Sequence, residues 1–400
     1  MKKFFLLLVM IFGICNVSYA TESGDDASNI DYAESYAEES LDYDLGLYDD
    51  STTSDMKYLY LKGTVEEVGE VFEEKNDYYT FSYQDVKVHI KDQGYNTTKI
   101  IRHSLSFYTG IEEMSKPLKK GDKVIVHATI SSDGKIQDTA ISERDNTNYL
   151  VLILVIYSLA IVIIGGKKGV KALVSLVITI LAIFYIILPK LIEGVNPLGI
   201  TTIVSIGITI IVLFIIAGFN KKAVAAILGT TGGILIAGIF AIIFGNLMDL
   251  SGISEEAGTL SQQVLYGTEE MVKYDFKGLM YAGIIIGALG ACMDVSMSIA
   301  SALHELKEEN NEISVRRMLS AGMNIGKDMM GTMTNTLILA YMGCSMVLVM
   351  LLTVTGENLR HVINSEMILE EVLSAIAGSF GLVTTIPFTT LVTSLLMGKR

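Results

Sequence analysis

The chain has 400 residues, half of them hydrophobic, with no tryptophan and a formal charge of −14. That apolar share is too high for an ordinary soluble protein, and three cysteines are too few for a disulfide framework or a cysteine-based zinc site. The acidity is local, because twelve Asp and Glu and no Lys or Arg fall between Thr21 and Met56, so the net charge says little about partners.

The opening MKKFFLLLVMIFGICNVSYA carries Lys2 and Lys3, an apolar stretch and small residues before Ala20. It reads as a signal peptide over residues 1–20. Cys15 does not read as a lipid anchor, since Ile14 stands where a small residue is needed. Residues 21–56 form an acidic linker whose low hydrophobicity and single sign of charge predict a solvated spacer.

From Lys57 to Asn148 the pattern alternates β-branched and aromatic residues in short runs such as YLYLKGTV, VKVHI and KVIVHATI, divided by turns such as Ser132-Asp133-Gly134. Five or six strands of this kind predict a small all-β domain, OB-like in its KKGDKVIVHATI segment. Nucleic acid is not expected as a ligand, since the signal peptide places this domain outside the membrane. His89, His103 and His127 fall on strands and read as half-buried residues rather than metal ligands.

Residues 149–400 resolve into seven apolar runs, near 149–164, 172–188, 198–219, 223–244, 279–303, 329–354 and 367–397. Each is close to the length that spans a bilayer, so the fold class is an all-α polytopic helix bundle behind an extracytoplasmic β-domain. With that domain outside, eleven Lys and Arg fall in inner loops and four in outer loops, which satisfies the positive-inside rule and puts the C-terminus in the cytoplasm. Ser254 with Glu255 and Glu256 opens a predicted surface helix outside. The stretch HELKEENNEISVRRMLSAGMNIGKD, with Ile313, Met318 and Leu319 among charges, predicts an interfacial helix inside that enters the sixth run.

In the fifth run, Gly283, Gly287, Gly290, Asp294, Ser298 and Ser301 recur at spacings of three and four and share one helix face. Glycines so spaced let another helix approach closely, and a polar group on the same face then points into protein. The sixth run offers Asp328, Gly331, Thr332 and Asn335, and the fourth offers Gly229, Thr230, Thr231 and Gly233. At 1.5 Å per residue, Asp294 lies roughly 15 Å from Glu305, Asn335 roughly 10 Å from Asp328 and Thr230 roughly 12 Å from Lys222. The three spans therefore set polar groups in one layer of the cytoplasmic half. In the seventh run, Gly378, Gly381, Thr384, Thr385 and Pro387 mark a place where a helix could break.

Threonines glue helices routinely, so Thr230, Thr231 and Thr332 also read as packing residues. Asp294 is different, because an ionisable group within a span is costly if packing is the only need. Lys327 and Asp328 sit at the interface as either gate or anchor. GMNIGKD is not a phosphate loop, having three residues between its glycines where four are needed. The methionines around both motifs, with Cys292 and Cys344, could pass Cu(I), but gap-filling suits them better. Neither a hydrolytic set nor a cofactor or metal site is expected, and the chain does not read as an enzyme.

The segments GALGACMDVSMSIASALHEL and AGMNIGKDMMGTMTNTLILAYMG, supported by FNKKAVAAILGTTGG and GSFGLVTTIPFTTL, resemble the signature segments of the YibE/F family of bacterial multi-pass membrane proteins. The resemblance implies that the Asp294 and Asn335 segments define the family, while the signal peptide and apolar runs point to the bacterial plasma membrane, where a second copy or a second family member could be a partner. It carries over no catalytic residue. Function then rests on the polar layer, which points to a transporter or exporter of a small solute or ion around Asp294. The alternative is a membrane scaffold or envelope-assembly factor whose outer β-domain binds a partner.

Overall fold

The computed structural model describes residues 57–75, 80–105, 116–131, 133–253, 275–354, 356 and 358–399. The stretches read as signal peptide, acidic linker and outer surface helix lie outside these residues. The chain divides into two compact units between Tyr157 and Ser158.

In the first unit, strands β1 (Lys57–Lys75), β2 (Thr80–Asp92), β3 (Tyr95–Ser104), β4 (Lys123–Ile130) and β5 (Ile136–Arg144) form one antiparallel sheet in the order β3-β2-β1-β4-β5. The edge strands β3 and β5 also touch, so the sheet curls towards closure. Alternation builds its core: Leu61, Val65, Val86, Val88, Ile90, Val124, Val126 and Ala128 are buried on one side, joined by Leu118. The β2–β3 hairpin turns on Gln93 and Gly94, both at positive φ (48° and 89°), the conformation that a two-residue turn needs to match strand twist.

The most deeply buried polar side chain described in this unit, Gln84, is satisfied. Buried Gln84 donates to the carbonyls of Leu118 (3.2 Å) and Gly69 (3.3 Å) and accepts from the Leu118 amide (2.8 Å), pinning the segment before β4 to β2. Truncation would strand those backbone groups, so Gln84→Ala is expected to destabilise the β-unit by about 1–3 kcal/mol, read as earlier proteolysis near Leu118 in a urea series. Its cross-strand neighbour His103 is buried too, and burial first, with the charge of Arg144 second, holds its pKa below the ordinary value. A depressed histidine pKa favours the neutral form in the folded state. Stability is then full above the unfolded-state value of about 6.5 and is lost as the pH falls towards the folded-state value. Unfolding of the β-unit should therefore come earlier at pH 5 than at pH 7.5, and His103→Gln should flatten that dependence.

The second unit is helical. Its elements are α1 (Thr147–Ala182, which begins before the division), a single π-helical stretch (Ile183–Ile187), α2 (Leu188–Ile192), α3 (Pro197–Ala217), α4 (Lys221–Leu247), α5 (Phe276–Glu309), α6 (Val315–Cys344), α7 (Met346–Val354), α8 (Leu359–Val362) and α9 (Glu366–Met397). Side chains cap the starts of several. Asn196 accepts from Gly199 (2.8 Å), Asn220 from Ala223 (2.8 Å), Asp275 from Gly278 (2.8 Å) and Ser314 from Arg317 (3.4 Å).

Among the described residues, five helical stretches are long and apolar enough to cross a membrane: Thr147–Ile192, Pro197–Ala217, Lys221–Leu247, Phe276–Glu309 and Glu366–Met397. The first two expected runs both fall in the 46-residue stretch Thr147–Ile192, where Gly166 (φ 52°, ψ −128°) breaks the helix. The chain doubles tightly there, since a Cβ on Gly169 would collide with the Ile161 carbonyl. The sixth run is divided at Ser345 between α6 and α7, and α6 is not apolar enough to count on composition.

Ile313 and Met318 lie in the core with Val295, Ile299, Leu303, Leu382 and Ile386, and α6 runs unbroken from Val315 into the sixth run as far as Cys344. The seventh run does not break: α9 continues through Pro387, and the Thr384 and Thr385 hydroxyls each donate to the Gly381 carbonyl (2.9 Å). The end of the chain is tied back, with the Lys399 amide donating to Ile313 (2.9 Å) and the Val315 amide donating to Lys399 (3.1 Å).

Candidate functional site

Helix α9 is the hub, packing against α4, α5 and α6. Its crossing with α4 depends on missing side chains. A Cβ on Gly229 would overlap the Thr389 hydroxyl, one on Gly233 the Thr385 hydroxyl, and one on Gly381 would stand 2.7 Å from the Ala237 Cβ. On the other flank, Gly322 and Gly326 of α6 receive Thr390 and Ile386. Gly229 and Gly233 thus hold helices together through close backbone approach.

Thr230 belongs to this interior. It is fully buried, 2.6 Å from the Ser296 hydroxyl of α5. Ser296 already donates to the Met293 carbonyl (3.0 Å), which leaves Thr230 as the donor to Ser296. Thr231 is half-buried beside it. Ser296 did not stand out in the sequence, although Ala288, Cys292, Ser296 and Ile299 repeat at helical spacing and mark the buried stripe of α5.

Asp294 points elsewhere. Two residues turn a helix by about 200°, so with Ser296 inside, Asp294 faces out. Asp294, Ser298, Gly283, Gly287 and Gly290 are all exposed. A Cβ on Gly287 would meet the Tyr341 hydroxyl of α6, whereas Gly283 and Gly290 have nothing within 4 Å among the described residues. The physical reason is competition between two stripes. The face carrying Val295, Ile299 and Leu303 buries more apolar surface and takes the core, which turns the small, polar face away. Close approach through Gly283 and Gly290 therefore does not occur within the described chain.

Helix α6 behaves similarly. Its Lys327, Asp328, Gly331, Thr332 and Asn335 are exposed, and the Thr332 hydroxyl donates to its own helix at the Met329 carbonyl (3.0 Å). The two helices run antiparallel, with Leu303 against Gly322 and Gly287 against Tyr341. Nine residues back from Leu303 and nine on from Gly322 set Asp294 level with Gly331. The structure thus separates the expected polar layer in two. Thr230 lies inside the bundle with Ser296, while Asp294, Ser298, Lys327, Asp328, Thr332 and Asn335 lie at similar depth on the outer surface of α5 and α6. Met293, Met297, Met329 and Met333 pack against the hydrophobic clusters, and no group of three His, Cys, Asp or Glu able to hold a metal occurs among the described residues.

Long apolar helices interlocked through glycines and hydroxyls define a polytopic membrane protein. A family model described as YibE/F-like protein matches residues 153–399, and the chain belongs to that family. No curated protein and no solved structure matches it.

A double-mutant cycle on Thr230→Ala and Ser296→Ala measures what the interior pair contributes. A coupling of about 0.6 kcal/mol, and no more than about 1.7, is expected from detergent unfolding curves.

Proposed function

We propose that the membrane domain moves a small cation, or a solute coupled to one, along the polar face of α5 and α6. In this reading Asp294 is the protonatable or cation-coordinating group, and Asn335, Thr332 and Ser298 are neutral ligands beside it. The observation that supports it most is the outward display of Asp294 on a helix apolar enough to span the bilayer. A carboxylate facing lipid at the centre of a span costs about 2.5–3.5 kcal/mol, so a face bearing it is matched to water or protein, not to hydrocarbon. The accompanying topology has seven spans, with α1 crossing on either side of Gly166, the β-unit outside and the C-terminus in the cytoplasm.

The test is flux into proteoliposomes. Asp294→Asn should lower proton or cation flux by roughly tenfold or more, at least about 1.4 kcal/mol on the limiting barrier, while the protein stays monodisperse. Undiminished flux in that variant would overturn the assignment.

A scaffold role draws on one feature of the β-unit. Tyr58 and Tyr60 are 60% and 56% exposed and flank the His127 ring at 5.5 and 5.2 Å, an aromatic patch able to hold a partner. Deleting residues 57–148 separates the readings: retained flux favours transport, and loss of every phenotype without measurable flux favours the scaffold.

A further inference from the structure

The glycines of the bundle include two contrasting sets, besides Gly207 of α3 and Gly343 of α6, which also have nothing within 4 Å among the described residues. Gly229, Gly233, Gly322, Gly326 and Gly381 each have a neighbour where a Cβ would stand, so each admits a close helix contact. Gly283 and Gly290 of α5 and Gly331 of α6 have nothing within 4 Å among the described residues. A glycine inside a helix costs about 1 kcal/mol relative to alanine, and against lipid it gains nothing in return. All three lie on the faces that also turn Asp294, Ser298, Asp328 and Asn335 outward.

The charges on this surface identify what covers it. Lys327 and Asp328 are exposed and make no ion pair among the described residues, and both lie within about 6 Å of helix rise of the level of Asp294. One patch therefore carries an ammonium and two carboxylates at nearly one depth. A two-fold axis along the membrane normal keeps depths equal and brings each Lys327 towards the carboxylates of the other copy. The patch is complementary to itself.

We propose that the outward face of α5 and α6, centred on Gly290, Asp294 and Gly331, is the contact surface for a second copy of this chain. The dimer shields Asp294 from lipid, so the polar site is incomplete in a single subunit. Whether a solute passes there is a separate matter, because the contact requires only that α5 and α6 lie in the bilayer.

Two measurements on the full chain test it. With Cys344 replaced by serine, Ser298→Cys should form an oxidant-induced dimer in native membranes, whereas Ile203→Cys, exposed on α3, should not. Fluorophore-labelled wild-type protein in liposomes should bleach in two steps, and Gly290→Leu and Gly331→Leu should shift it to one step while remaining monodisperse in detergent. Single-step bleaching of the wild type, equal cross-linking at Ile203, capture of a different protein by Ser298→Cys, or dimers that survive both leucine variants would overturn the proposal. A monomer with intact flux sinks the dimer and leaves transport standing; a dimer without flux does the reverse.

Discussion

The helical unit depends on the crossing of α4 and α9, where two glycines on one helix receive two threonine hydroxyls from the other. Hydrocarbon gives helices no hydrophobic reason to associate, so the contact relies on dispersion at short range and on hydroxyls that need not seek water. Threonine suits that place. It is small, its χ1 is stiff, and its hydroxyl can be satisfied locally, as when Thr385 donates to Gly381 (2.9 Å), whereas the Thr389 hydroxyl against Gly229 has no hydrogen-bond partner among the described residues. A serine in those positions would lose methyl contacts, and a valine would offer no proton to the i−4 carbonyl. Because α9 also packs against α5 and α6, the placement of Thr230, Ser296 and Asp294 depends on this contact.

The same packing explains why two kinds of polar residue, adjacent in sequence, have opposite environments. Ser296 and Thr230 satisfy each other in the interior, a neutral pair whose net contribution is small. Asp294 has no such partner within the bundle core and is turned outward with Ser298. A hydroxyl fits a dry helix contact by bonding to its own backbone, but an ionised carboxylate has no such recourse. The division of the polar layer is therefore a sorting by desolvation cost.

Much of the architecture was legible. The β-strands at the front and the apolar helices behind them follow from periodicity, which is a local property. The direction in which a helix faces is not local. Helix α5 carries a small-polar stripe through Gly287 and Asp294 and a small-apolar stripe through Cys292 and Ile299, and either alone reads as a packing face. Which one wins is set by Leu382 and Ile386 of α9 and Met318 of α6, far away in sequence. Gln84 escaped notice for a similar reason, since nothing in YQDVKV shows that its partners are backbone atoms at Gly69 and Leu118.

The pairing of Lys399 with Ile313 and Val315 bears on how the protein is made. Those backbone bonds close the connection between α5 and α6, yet they are supplied by Lys399, just beyond α9. During synthesis α5 and α6 emerge from the ribosome before α9, so the clasp over their connection cannot form until α9 and Lys399 have followed them out.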